Sequence, residues 1–224
     1  MSEMKSVTRP LFDLPVEIKR RNVDVFISSG YMAPSAINPL YESLGVYNMA
    51  SPTDIEEFCS QMETITRYVQ AIHQLLLTIA HKLLEGLGVV KSEPQFQDWP
   101  CHFRFNKYHF SSSSIGSGGV QFMTILHDDD LVDGLEVMDN SGNFVSVDPW
   151  PGTLVVNLSD MARVWSNGRF CNVRHRVQCS EATIRMSIAS FMLGPGRGSL
   201  ETALCLSRLP KAIFNKFNVN EVLK

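Results

Sequence analysis

Residues 120–158 read VQFMTILHDDDLVDGLEVMDNSGNFVSVDPWPGTLVVNL, and this stretch decides the fold class. Short runs of apolar and β-branched residues recur in it, separated by turn signals at 139–142 (DNSG) and 148–152 (DPWPG). We predict strands at 120–126, 135–138, 144–147 and 153–158. Many short strands joined by Gly- and Pro-containing turns are typical of a sandwich, a barrel or a jelly roll.

The segments on either side extend this pattern. Alternating side chains predict a strand at 103–108, and further strand-like runs follow at 172–178 and 185–193. Upstream, a long helix is predicted between residues 51 and 88, because apolar residues recur at steps of three and four. Residues 23–49 look like a loop, and 199–222 like a helix broken at Pro210. The fold class is therefore α+β, with helices first and an all-β core after them.

Composition excludes several classes of function. The 224 residues are 44% hydrophobic and carry a formal net charge of −3, so no basic surface for nucleic acid or for an anionic membrane is expected. Largely apolar runs such as 75–80 are far shorter than the roughly 20 residues that span a bilayer. Five scattered cysteines with no CxxC indicate reduced thiols. We expect a cytoplasmic protein; its oligomeric state stays open.

Arg185 and Ser187 are the first candidate binding residues. They are two positions apart, so both side chains leave the same face of a strand. A guanidinium binds a carboxylate through two parallel hydrogen bonds, a hydroxyl can add a third, and Tyr108 on a nearby strand can complete such a clamp. His175, on the preceding strand, is a neutral nitrogen ligand of the kind that iron accepts. A structural histidine and a chance Arg-x-Ser are the alternatives.

The residues around these positions carry a resemblance to a known family. It rests on 134–139 (GLEVMD), 151–160 (PGTLVVNLSD), 165–169 (WSNGR) and 175–191, together with N-terminal stretches such as 38–45 (NPLYESLG). These segments closely resemble the plant Fe(II)/2-oxoglutarate-dependent dioxygenases. Within that family, the N-terminal segments are most similar to the branch that oxidises auxin. The resemblance runs from about residue 4 to residue 195.

The resemblance implies a fold, cofactors and roles. The core would be a double-stranded β-helix, which is a jelly roll. His175 would be the distal iron ligand, Arg185 and Ser187 would hold the distal carboxylate of 2-oxoglutarate, and Tyr108 would assist with Asn106 beside it. The expected cofactors are Fe(II), 2-oxoglutarate as cosubstrate, and ascorbate. The expected partner is a small-molecule substrate, indole-3-acetic acid or a similar compound, oxidised as the cosubstrate is decarboxylated.

One part of the family pattern is missing. Relatives carry a His-x-Asp pair of metal ligands between a Gly-Val-Gln and a Phe-Leu-Thr-Ile-Leu segment, whereas here Gln121 is followed directly by Phe122. About six residues of the pattern are absent, so no catalytic metal pair is assigned. His127-Asp128-Asp129 is a His-x-Asp, but it lies several residues late, and we predict that 127–130 form an acidic exposed turn. Catalytic activity is therefore doubtful, and an inactive remnant of the family, which cannot hold iron, is the alternative function.

The predicted organisation has three parts. Residues 1–100 form a helical N-terminal region, truncated relative to the family. Residues 101–195 form the jelly-roll dioxygenase core. Residues 196–224 form a divergent tail that matches no segment of the family.

Overall fold

The computed structural model describes residues 2–25, 29–36, 39–47, 63–88, 96–109, 115–116, 121–178, 183–194, 199–201 and 216–218. The helices are α1 (Ser2–Phe12), α2 (Val16–Lys19), α3 (Glu63–Gly86) and α4 (Asp160–Trp165), with a 3-10 turn at Phe96–Asp98. The strands are β1 (Tyr41–Val46), β2 (Cys101–His109), β3 (Ile115–Gly116), β4 (Gln121–His127), β5 (Leu135–Met138), β6 (Phe144–Ser146), β7 (Val155–Leu158), β8 (His175–Val177), β9 (Ile184–Leu193), β10 (Ser199–Glu201) and β11 (Lys216–Asn218).

The strands form antiparallel sheets. The large sheet has five strands in the order β1-β2-β9-β4-β7, and a four-stranded sheet has the order β3-β8-β5-β6. Strands β10 and β11 pair with each other. Helices combined with antiparallel sheets confirm the α+β class. The tight β5–β6 turn also matches its sequence signal, because the Asp139 carboxylate accepts the backbone N–H groups of Ser141 and Asn143.

One face of the large sheet packs against the helices. Buried apolar residues on this face, such as Phe103, Phe105 and Ile188, belong to the same core cluster as Ile65 and Leu76 of α3. Fully burying one such side chain contributes about 1.5–3 kcal/mol to stability. The apolar residues whose spacing predicts α3 therefore form the side of the helix that is buried in this core.

The opposite face of the large sheet lies against the four-stranded sheet. Tyr108 of β2 packs against Val177 of β8, and both side chains are buried. A side-chain contact between Asn157 of β7 and His175 of β8 joins the two sheets at a second point. We call the space between the two sheets the interior.

The structure corrects two predictions. The 23–49 loop contains β1, which pairs with β2 along its length, so the N-terminal region is not purely helical. The tail forms strand pairs at 199–201 and 216–218 where a helix was predicted. The predicted start of the long helix, 51–54, lies outside the described residues. None of the described helices is long and apolar enough to cross a membrane.

Candidate active site

The four predicted clamp residues lie together on the interior face of the large sheet. Strand β2 pairs with β9 so that Asn106 is opposite Ser187 and Tyr108 is opposite Arg185. Residues two apart on each strand share a face, and the cross-strand partners share it as well. All four side chains are buried. The pairing therefore brings a guanidinium, a hydroxyl, an amide and a phenol to one place.

Arg185 is the most buried of these groups, at 0% exposure. Its Nη2 donates to the Asp128 carboxylate, and its Nε and Nη1 have no hydrogen-bond partner among the described residues. Leaving buried donors unsatisfied is costly, and more so when the group is charged. The guanidinium is thus short of acceptors in the way that a binding site for an anionic ligand would be.

Tyr108 and Asn106 form the second side of the clamp. Burial, reinforced by the nearby Tyr41 and Asp128, raises the pKa of Tyr108, so the phenol keeps its proton and can donate a hydrogen bond. The Arg185 guanidinium lies 5.4 Å from the centre of the Tyr108 ring. Asn106 accepts a hydrogen bond from the Tyr41 hydroxyl at 2.8 Å, and its amide nitrogen lies 3.4 Å from Ser187 Oγ. These bonds hold the donors in place around one small volume.

His175 lies on the sheet across the interior. Val177 shares its strand face and packs against Tyr108, so this face of β8 is directed at the clamp sheet. The His175 Nδ1 is 3.3 Å from the Asn157 amide nitrogen and 3.3 Å from the carbonyl oxygen of Val173. His175 and Arg185 therefore border the same interior, as a shared metal-and-cosubstrate site would require.

The histidine of the alternative His-x-Asp pair lies on the other side of the sheet. His127 is 1% exposed, and its Nδ1 is 2.8 Å from the Tyr68 hydroxyl of α3. The His127 side chain is therefore directed away from His175. Asp129 lies just beyond the end of β4, and its carboxylate accepts the backbone N–H groups of Met186, Leu131 and Val132. The predicted exposed turn is also wrong, because His127 is buried and residues 128–130 are half-buried.

Comparison with known proteins places the chain in a family. Residues 90–194 match the profile of the 2OG-Fe(II) oxygenase superfamily. The chain is 46% identical over 208 residues to the 2-oxoglutarate-dependent dioxygenase DAO of Oryza sativa subsp. indica, covering 87% of this chain and 69% of that protein. The chain belongs to the 2OG-Fe(II) oxygenase superfamily.

Solved structures of the superfamily agree with this assignment. Dioxygenase for auxin oxidation 1 from Arabidopsis thaliana, in its binary complex with 2-oxoglutarate, matches with a TM-score of 0.86 and 49% identity, covering 92% of this chain and 82% of that one. The rice dioxygenase for auxin oxidation matches with a TM-score of 0.85 and 38% identity, covering 99% of this chain and 79% of that one. The chain therefore has the 2-oxoglutarate oxygenase fold.

The residues present fit one of the superfamily's two cofactors and not the other. A buried guanidinium with unpaired donors beside a hydroxyl and a phenol fits the distal carboxylate of 2-oxoglutarate. For iron, no group of three or more His, Cys, Asp or Glu side chains within the described ranges is arranged to hold a metal ion. His127-x-Asp129 is the one His-x-Asp in the sequence. Its histidine contacts Tyr68 of α3, and its aspartate accepts backbone N–H groups. The family's three-ligand iron site is therefore not reproduced by the described residues.

Sequence reasoning missed three residues that the site brings together. Asp128 reaches Arg185 from the end of β4, Tyr41 supports Asn106 from β1, and Asn157 meets His175 from β7. The alternation of side chains along β4 could have indicated Asp128. Residues two apart share a face, so Asp128 lies on the same face as Leu126, which is opposite Ala189 on the interior face of β9. No local signal indicates Tyr41, because its partner is 65 residues away.

Proposed function

We propose that this chain binds 2-oxoglutarate between its two sheets, with Arg185 and Ser187 holding the distal carboxylate and with Tyr108 and Asn106 assisting. The supporting observation is the fully buried Arg185, whose Nε and Nη1 have no partner in the described part of the chain. His175 is the proposed distal iron ligand. The proposal includes a double-stranded β-helix core at 101–195, following N-terminal helices.

We further propose that the chain acts as a dioxygenase on indole-3-acetic acid or a similar small organic acid in the cytoplasm. The similarity to rice DAO and to the auxin-oxidising dioxygenase of Arabidopsis thaliana supports this substrate class. The family reaction couples oxidative decarboxylation of 2-oxoglutarate to oxidation of an organic substrate, and it requires Fe(II). In this reaction the clamp fixes one end of the cosubstrate, so that its 2-oxo end is directed towards His175.

A second function is favoured by a specific observation. His175 is a single imidazole, and the pair that would complete the metal site is absent between Gln121 and Phe122, which follow each other directly at the start of β4. One imidazole leaves most of an iron ion's coordination to water, and such a site binds weakly. The alternative is a non-catalytic member of the family that keeps the carboxylate clamp.

The two functions are separated by measuring turnover and metal affinity together. The purified chain is assayed for Fe(II) affinity and for conversion of 2-oxoglutarate to succinate, with and without indole-3-acetic acid. A matched variant carries a six-residue His-x-Asp segment inserted between Gln121 and Phe122. Turnover that depends on indole-3-acetic acid in the unmodified chain establishes the enzyme. If only the insertion variant turns over, the unmodified chain is the non-catalytic member of the family. If neither protein turns over, the auxin assignment is refuted.

A further inference from the structure

A loop of three consecutive aspartates, 128–130, follows β4 and lies against the clamp. Asp128 Oδ1 accepts a hydrogen bond from Nη2 of Arg185, which is 57 residues further along the chain. The same oxygen accepts the backbone N–H of Asp129 at 2.7 Å. The Asp128 side chain is only 13% exposed. Its carboxylate is therefore held by its own loop and directed at the guanidinium.

Asp129 fastens this loop to β9. Its Oδ2 accepts the backbone N–H of Met186 at 3.0 Å, and its Oδ1 accepts the N–H groups of Leu131 and Val132 at 3.1 Å and 3.3 Å. Met186 is the residue directly after Arg185. The loop is thus tied to the strand beside the guanidinium, which limits how far Asp128 can move relative to Arg185.

The geometry of a guanidinium shows what this contact leaves available. Four of the five N–H donors of arginine form two forks, one from Nε with Nη2 and the other from Nη1 with Nη2. Each of the two Nη2 hydrogens belongs to a different fork. Asp128 takes one of them, and Nε and Nη1 have no partner among the described residues. Whichever hydrogen Asp128 takes, one complete fork remains for another carboxylate.

Asp128 also balances the charge of the site. An isolated guanidinium at 0% exposure is strongly disfavoured, and Asp128 is the carboxylate that contacts it in the described part of the chain. A long arginine side chain with no fixed acceptor samples several rotamers, and binding must then immobilise it. With Nη2 anchored, the free fork has a fixed orientation, and Ser187 lies two residues further along the same face of β9.

We propose that Asp128 is a positioning residue for the cosubstrate clamp: it anchors Arg185 through Nη2 and so presents the opposite fork to the distal carboxylate of the ligand. This inference rests on the proposed 2-oxoglutarate function. Asp128 acts through Arg185 and does not itself touch the ligand. It is a support for the clamp and not a competitor that occupies it.

The test compares Asp128→Ala with Asp128→Asn. The asparagine keeps an oxygen that can accept hydrogen bonds from Nη2 and from the Asp129 N–H. The alanine has no such oxygen, so both hydrogen bonds are lost. Dissociation constants for 2-oxoglutarate, and for glutarate, which has no 2-oxo group to contact a metal, are measured by isothermal titration calorimetry. Asp130→Ala removes one carboxylate from the same loop and is the matched control. Far-UV circular dichroism checks that each variant is folded.

We expect Asp128→Ala to lower the affinity for both ligands about tenfold, because binding must then immobilise an Arg185 side chain that is no longer anchored. The dissociation constants of Asp128→Asn and Asp130→Ala should stay within about threefold of those of the unmodified chain. Asp128→Asn retains a side-chain oxygen that accepts from Nη2, and Asp130→Ala leaves Asp128 unchanged. Two-dimensional ¹⁵N–¹H spectra add a ligand-free readout: separate Arg185 Nη1 and Nη2 signals should merge in Asp128→Ala as the guanidinium begins to rotate.

The outcomes separate this inference from the proposed function. If the unmodified chain binds neither dicarboxylate, the proposed clamp is wrong and the inference fails with it. If the unmodified chain binds and Asp128→Ala binds equally well or more tightly, the clamp stands and the positioning role is refuted. A loss of affinity in Asp130→Ala equal to that in Asp128→Ala refutes it too, because the effect then follows the charge of the loop.

Discussion

Replacing Arg185 with lysine isolates the contribution of the guanidinium fork from that of its charge. Lysine keeps one positive charge within reach of Asp128, so the buried pair is not left with an unpaired carboxylate. It replaces the planar fork with a single ammonium, which cannot bind a carboxylate bidentately. One charge-assisted hydrogen bond to the ligand is lost, at about 1.5–3 kcal/mol, which is roughly a 10- to 150-fold rise in Kd.

The assay is isothermal titration calorimetry with 2-oxoglutarate. Arg176→Lys is the control, because Arg176 is on β8 and pairs with Glu136 at a partly exposed position. It should leave the Kd unchanged. The ligand 2-oxovalerate, which has no distal carboxylate, should bind weakly to all three proteins and without difference. If Arg185→Lys binds 2-oxoglutarate as tightly as the unmodified chain, the fork does not hold the distal carboxylate and the reasoning is refuted.

The remaining predictions concern the two buried histidines of the large sheet. His127→Ala should leave Fe(II) affinity unchanged and lower the free energy of unfolding by about 1–3 kcal/mol in urea titrations, because the half-buried Tyr68 loses the partner of its hydroxyl. A large loss of metal affinity would contradict the placement of His127 on the helix side. Burial, with help from Arg104, lowers the pKa of His102 to about 3 from its ordinary value of 6.5. The unfolded chain therefore binds one more proton between these pKa values, so stability falls as pH drops below 6.5, by about 2 kcal/mol between pH 6.5 and pH 5. His102→Gln should flatten that slope in unfolding measurements, and an unchanged slope would show that His102 is not the group responsible.

The strand pattern of the core was predictable because its signals are local. Turn residues and alternating side chains predict β5 at the bounds that the structure has, and β2, β4, β6, β7, β8 and β9 to within a few residues. β1 was missed for a physical reason. It contains Glu42 and Ser43, both of which are buried, and the Glu42 carboxylate is accommodated by Lys19 from α2 at 2.6 Å. That compensation comes from 23 residues away, so the segment itself looks like a polar loop.

The site was predictable to the extent that its residues share a strand. The two-residue spacing of Arg185 and Ser187 places them on one face, and the structure agrees. The register that brings Asn106 opposite Ser187 depends on strand pairing, which no single segment determines. The acidic run was misread for the same reason. Three consecutive aspartates normally indicate solvated surface, and the guanidinium that draws Asp128 inward lies on another strand.

A crystal of the chain soaked with 2-oxoglutarate would show directly whether the clamp binds the cosubstrate. We expect density for the ligand in the interior, with its distal carboxylate about 2.7–3.1 Å from the Arg185 guanidinium and from Ser187 Oγ, the usual length of charge-assisted hydrogen bonds. We also expect the 2-oxo end to point towards His175. Density for the ligand outside the interior, or with its distal carboxylate away from Arg185, would contradict the account.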